Sequence, residues 1–120
     1  MPKLQLIDYG IDIEIYRAEN LVPLDYYAGN VDAYVIAKFS GNKIDTSVKT
    51  SCNPQWDQQL RIGTGVPTKS KYVYLEVRNR NFMFGDDIIG IIKIPFVDLK
   101  EESEPRWGHL YGPPVTGKDI

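Results

Sequence analysis

The chain is short of the groups on which most catalysis and most disulfide scaffolds depend. It has one cysteine, Cys52, and one histidine, His109, in 120 residues. A single cysteine excludes an internal disulfide and fits a reducing compartment. No histidine lies near Cys52 in sequence to activate it, so an inert, buried or half-buried thiol is expected. His109 stands in a strand-like segment without a second histidine, which points to a structural hydrogen bond rather than proton transfer. There is no zinc spacing and no nucleophile elbow, and Gly63-Thr64-Gly65 lacks the Lys-Ser or Lys-Thr that would complete a phosphate loop. No apolar run approaches the roughly 18 residues of a membrane span. Charge of one sign is also missing. Fourteen basic residues face sixteen acidic ones, for a net charge of −2, so no basic patch dominates and nucleic acid is not an expected partner. Met1-Pro2-Lys3 leads into alternating sequence rather than an apolar stretch, so no signal peptide is expected. An enzyme, a disulfide scaffold, a membrane-spanning chain and a nucleic-acid binder are therefore all disfavoured.

What is present is period-two alternation. Hydrophobic residues make up 42% and charged residues 25% of the chain, an ordinary globular mix large enough for one domain with a real core. In 11–17, Ile11, Ile13 and Ile15 face one way while Asp12, Glu14 and Tyr16 face the other. In 72–78, Val73, Leu75 and Val77 alternate with Tyr72, Tyr74, Glu76 and Arg78. Residues 33–39, 43–50, 56–62 and 88–94 also read as strands, with 4–9 and 107–111 as weaker candidates. No stretch of about a dozen residues keeps a helical apolar period; only 96–102 suggests a helical turn. Turn signals lie between the runs at Gly29-Asn30, Gly41-Asn42, Asn53-Pro54, 63–67 and Gly85. Seven or eight short strands at this spacing predict an all-β fold, an antiparallel β-sandwich. One domain is expected over 1–120, with its core at about 10–111 and a tail at 112–120 that begins Gly112-Pro113-Pro114. Asn53-Pro54 is expected to turn the chain so that Trp56 anchors in the core. Gly90, inside a β-branched run, suggests a bulge or a close backbone approach.

Two inter-strand segments carry the chemistry. Residues 25–32 read Asp-Tyr-Tyr-Ala-Gly-Asn-Val-Asp, and 79–87 read Asn-Arg-Asn-Phe-Met-Phe-Gly-Asp-Asp. Asp25, Asp32, Asn79, Asn81 and Asp87 can each offer oxygen to a hard cation. Phe82, Met83 and Phe84 form an apolar tip where a loop is ordinarily polar. An oxygen cluster beside an apolar tip is the chemistry of a module that presses onto a membrane surface. The alternatives are Asp residues that serve only their turns, and Phe82 or Phe84 folded back onto the end of the sandwich.

Taken in order, these segments resemble a C2 domain, a β-sandwich that carries calcium and lipid chemistry on loops at one end. The matching residues are Ala18-Glu19-Asn20-Leu21, Asp25, Asp32-Ala33-Tyr34-Val35, Thr50, Asn53-Pro54-Gln55-Trp56-Asp57, Leu75-Glu76-Val77 and Asp87-Ile88-Ile89-Gly90. They run over roughly 10–111, and their order and spacing are more specific than any one piece. The stretch Trp107-Gly108-His109-Leu110-Tyr111-Gly112-Pro113-Pro114 looks most like domains of ferlins, membrane-fusion proteins with several such units.

The resemblance implies an eight-stranded sandwich of C2 type and a cation cup of five side chains at Asp25, Asp32, Asn79, Asn81 and Asp87. Asn replaces Asp at two of the five, so calcium binding is expected to be weak or lost, and Arg78 and Arg80 can supply positive charge in its place. Tyr26, Tyr27, Phe82, Met83 and Phe84 would touch the membrane, and Arg80 would meet lipid phosphate. The expected partner is an anionic phospholipid surface, with protein partners or neighbouring domains of a longer trafficking or fusion protein besides. The expected location is cytoplasmic and peripheral to a membrane. A calcium-independent protein-interaction module is the alternative. Residues 43–50 hold only Lys43 and Lys49, which makes inositol-phosphate recognition on that strand doubtful.

Overall fold

The computed structural model describes residues 2–7, 10–22, 31–63, 71–81, 85–95, 107, 108 and 110, with side chains from residue 11 onward. All described elements are strands: β1 (Pro2–Ile7), β2 (Gly10–Arg17), β3 (Asp32–Phe39), β4 (Asn42–Asp45), β5 (Lys49–Thr50), β6 (Gln55–Gly63), β7 (Tyr72–Asn79) and β8 (Asp87–Pro95). They form a three-stranded sheet in the order β1-β2-β6 and a five-stranded sheet in the order β4-β3-β7-β8, in which β5 also pairs with β3. Every pairing is antiparallel.

The alternation of the sequence sets which face is inside. Ile11, Ile13 and Ile15 of β2, Leu60 and Ile62 of β6, Ala33, Val35, Ala37 and Phe39 of β3, and Val73, Leu75 and Val77 of β7 build one buried cluster between the sheets. These four strands thus bury one side chain in two against the opposite layer, the geometry of a sandwich. Trp56 joins that cluster, and its indole N–H donates to the Ser47 carbonyl at 3.0 Å. Pro54 just before it is also buried, and its carbonyl accepts from the Ala18 amide at 3.0 Å. The Asn53-Pro54 turn and its tryptophan anchor are therefore as the sequence predicts.

Gly90 meets both halves of its expectation. The β7–β8 register shifts between Val77 and Arg78, which pair with Gly90 and Ile88, so Ile89 is the extra residue of a bulge. A β-carbon at Gly90 would also lie 2.7 Å from the Leu110 β-carbon, so the segment containing Leu110 crosses β8 at a distance only glycine allows.

The sequence reading of 43–50 as one strand is corrected. Thr46 interrupts it, because its hydroxyl accepts the Val35 amide at 2.9 Å and its own amide donates to the Val35 carbonyl at 2.9 Å. A side chain thus takes a bond that a ladder partner would otherwise make. The chain leaves the β4 register at 46–48 and pairs again, now as β5, with Asp32 and Ala33. The turn before β4 is also shifted by one residue. Ser40 (φ 51°) and Gly41 (φ 79°) form the two-residue loop, the left-handed pair that suits the twist of a tight hairpin. Residues 107, 108 and 110 are described but lie in no strand. The helical turn suggested for 96–102, His109 and the 112–120 tail lie outside the described residues. Among those described, no helix is long and apolar enough to cross a membrane.

Candidate functional site

The ends of β3, β7 and β8 converge at one end of the five-stranded sheet. In register, Ala33 pairs with Asn79, and Asn79 pairs with Asp87. The Asp32 amide donates to Asn79 Oδ1 at 2.9 Å, and the Arg80 amide donates to the Asp32 carbonyl at 2.9 Å. The end of the 25–32 segment and the start of the 79–87 segment are thus joined by two hydrogen bonds. Thr50 closes the group from β5, its hydroxyl donating to Asp32 Oδ1 at 2.6 Å. Asp32, Asn79 and Asp87, three of the five expected cation ligands, are therefore neighbours. Asn81 follows two residues beyond β7, where its amide donates to Asp86 Oδ1 at 2.9 Å. Asp25, Tyr26, Tyr27, Phe82, Met83 and Phe84 lie outside the described residues.

Asn79 Oδ1 accepts the Asp32 amide, and Asp32 Oδ1 accepts the Thr50 hydroxyl, so one acceptor position on each of these oxygens is taken within the chain itself. Among the described residues no group of three or more His, Cys, Asp or Glu side chains could hold a metal ion.

Sequence reasoning missed the pair at the centre of this end, Tyr34 and Asp86. The Tyr34 hydroxyl donates to Asp86 Oδ2, and the Arg80 guanidinium lies 5.3 Å from the centre of the Tyr34 ring, within cation–π range. Tyr34 points away from the core and is nonetheless buried, at 4% exposure. Burial raises its pKa, and the Asp86 carboxylate raises it further. The same bond, then the Asn81 amide, lowers that of Asp86. Arg78 is held chiefly by Glu76. Its Nε and terminal nitrogen donate to Glu76 Oε2 at 3.0 and 2.6 Å, while Lys38 donates to Glu76 Oε1 at 3.0 Å. Burial pushes the Glu76 pKa up, but Arg78 and Lys38 more than offset it, and the net shift is down.

These depressed carboxylates fix the sign of a pH dependence. Their ordinary values are 4.5 for Glu76 and 3.8 for Asp86, and in the folded chain both lie lower. Their contribution to stability is complete above those values and is lost as pH falls through the folded-state ones. The denaturation midpoint is expected to hold from neutral pH to about pH 5 and to fall below it. Glu76→Gln should flatten that fall more than Asp86→Asn, because Asp86 is exposed to screening solvent. An unchanged acid limb in Glu76→Gln would show that other carboxylates govern it.

Three comparisons agree with this geometry. The family profile of the C2 domain matches residues 10–110. "Ferlin 2" of Toxoplasma gondii is 27% identical over 106 residues, covering 87% of this chain and 7% of that protein. "Protein C2-DOMAIN ABA-RELATED 8" of Arabidopsis thaliana is 32% identical over 92 residues, covering 73% of this chain and 53% of that protein. The chain therefore spans a small part of the first relative and about half of the second. Among solved structures, a C2 domain of RIM from Drosophila superimposes with a TM-score of 0.72 at 17% identity, covering 92% of this chain and 96% of that one.

Proposed function

This chain belongs to the C2 domain family, and we propose that it works as a non-catalytic, peripheral membrane-binding module. In this reading the loop end presses onto anionic phospholipid, and a degenerate calcium site holds the ion weakly or not at all. Tyr26, Tyr27, Phe82, Met83 and Phe84 supply the apolar contact. Arg80, carried over Tyr34 at the same end, supplies the contact to phosphate. The ferlin likeness supports a place within a longer membrane-trafficking or fusion protein, on the cytoplasmic side of the membrane.

One observation carries the proposal: the bond from the Asp32 amide to Asn79 Oδ1. It joins the roots of the two loops that hold the aromatic residues, and it uses an oxygen that a calcium ion would need. A loop end tied together by its own side chains needs less from a metal to hold its shape. A calcium-independent protein-interaction module is the second reading, and the observation on its side is a row of lysines on the five-stranded sheet, where the registers align Lys43, Lys38, Tyr74 and Lys93 across β4, β3, β7 and β8.

Co-sedimentation with phosphatidylserine and with neutral vesicles, each with millimolar calcium and with chelator, tests the proposal. Pelleting with phosphatidylserine that is about equal in calcium and chelator is expected. Pelleting only with calcium would show a working metal site. No pelleting in any condition would sink membrane docking by this domain alone.

A further inference from the structure

Arg80 is held at both ends. Its backbone amide donates to the Asp32 carbonyl at 2.9 Å, and its guanidinium lies 5.3 Å from the centre of the Tyr34 ring. The ring is itself fixed. Tyr34 lies on β3, an inner strand between β4 and β7, two residues from Asp32, or about 7 Å along the strand. Alternation turns its side chain outward, because its neighbours Ala33 and Val35 face the core, yet it is buried. Tyr34 is not a member of the buried cluster between the sheets. The groups it engages are charged ones. Its register partner on β7 is Arg78, and its hydroxyl donates to Asp86 Oδ2. The other Asp86 oxygen accepts the Asn81 amide at 2.9 Å, so one carboxylate ties residues 81 and 86 together and fastens both to β3. The Tyr34 hydroxyl does most to lower the Asp86 pKa, and the Arg80 charge adds to it.

We propose that Tyr34 is a positioning residue for membrane docking, which holds the Arg80 guanidinium at the loop end for contact with a phospholipid phosphate. This rests on the reading of that end as the docking surface. A solvated arginine side chain samples many rotamers, and a ligand that fixes it must offset the lost entropy. Arg80 has given up much of that freedom before docking, so more of its contact with phosphate is expressed as affinity. The kind of restraint matters too. A cation–π contact draws on the charge of the guanidinium, whereas a salt bridge at the same place would use the N–H fork that matches phosphate. Asp86 acts through the tyrosine, by orienting its ring from the hydroxyl end.

The test joins the arginine Nε–Hε NMR signals of the full chain to a titration with phosphatidylserine vesicles. In the unaltered chain the Arg80 signal is expected to be moved upfield by the ring and to be ordered on the picosecond-to-nanosecond scale. Tyr34→Leu should return it to the position of a solvated arginine, whereas Tyr34→Phe keeps the ring and should keep most of the shift. Asp86→Ala, at an exposed residue whose loss does not threaten the fold, should disorder the signal. Asp86→Asn keeps an acceptor oxygen and should not. Arg80→Gln should weaken vesicle binding about fivefold. Tyr34→Leu should weaken it at least about twofold, and no further once Arg80 is already Gln. A merely structural tyrosine would cost the same in both backgrounds. That equal cost, an Arg80 signal without the ring shift, or one that keeps its order in Asp86→Ala would each overturn the proposal and leave loop-end docking standing. Vesicle affinity unchanged in Arg80→Gln would instead remove Arg80 from the phosphate contact, and the proposal with it, even if the ring shift is present.

Discussion

A chain carrying Phe82→Ala, Met83→Ala and Phe84→Ala is expected to stop pelleting with phosphatidylserine vesicles. Transfer of one such side chain from water into an apolar surrounding is worth about 1.5–3 kcal/mol, so three contribute roughly 4.5–9 kcal/mol before the cost of ordering the loop. That gross figure is comparable to the marginal anchoring given by a single acyl chain. The net charge of −2 offers no general attraction to an anionic surface that would replace it. The loss should be at least about a hundredfold in vesicle affinity, or some 2.7 kcal/mol. Arg80→Gln alone should weaken binding by less, since a single basic residue near an anionic surface contributes about 1 kcal/mol. The fold is expected to hold, as the three substitutions fall between β7 and β8 in the chain. Vesicle binding that survives the triple change would move the membrane contact to another face, with the lysine row as the first place to look.

Strands β2, β3, β6 and β7 were legible in the sequence because each is buried on one side, so the alternation within 11–17, 33–39, 56–62 and 72–78 records the core directly. Thr46 was not, because a threonine inside an alternating run reads as strand until its hydroxyl is seen on the Val35 amide. Asp86 was not legible either, because it precedes the first residue of β8, where no strand alternation places its side chain. It bonds Tyr34 and the Asn81 amide instead. The lysine row was out of reach altogether. The basic residues of 43–50 are sparse along the strand, and the row gathers one lysine from each of three strands. Its existence depends on registers that pair residues 43, 38, 74 and 93, and no local pattern encodes those.

Restoring the two missing charges, with Asn79→Asp and Asn81→Asp, is expected to raise calcium affinity at least about tenfold by calorimetric titration. A unit charge pair at about 4 Å is worth roughly 4 kcal/mol at an effective dielectric near 20. Desolvation and screening offset much of that, and if about 1.4 kcal/mol survives for each charge, the two together approach a hundredfold. The structure indicates why the change should be tolerated at residue 79. The Asn79 side chain acts through its oxygen, accepting the Asp32 amide at 2.9 Å, and an aspartate keeps that oxygen while adding a second one. The lower bound of tenfold follows from the internal bonds already in place. Thr50 still occupies Asp32 Oδ1, and the Arg80 guanidinium still stands over Tyr34, a fixed positive charge that a cation must approach. Adding Thr50→Val should therefore raise affinity beyond the double variant, by freeing a carboxylate oxygen at the loop root. An unchanged titration in both variants would mean that the five positions do not enclose a common point. Membrane docking would then rest on the apolar tip alone.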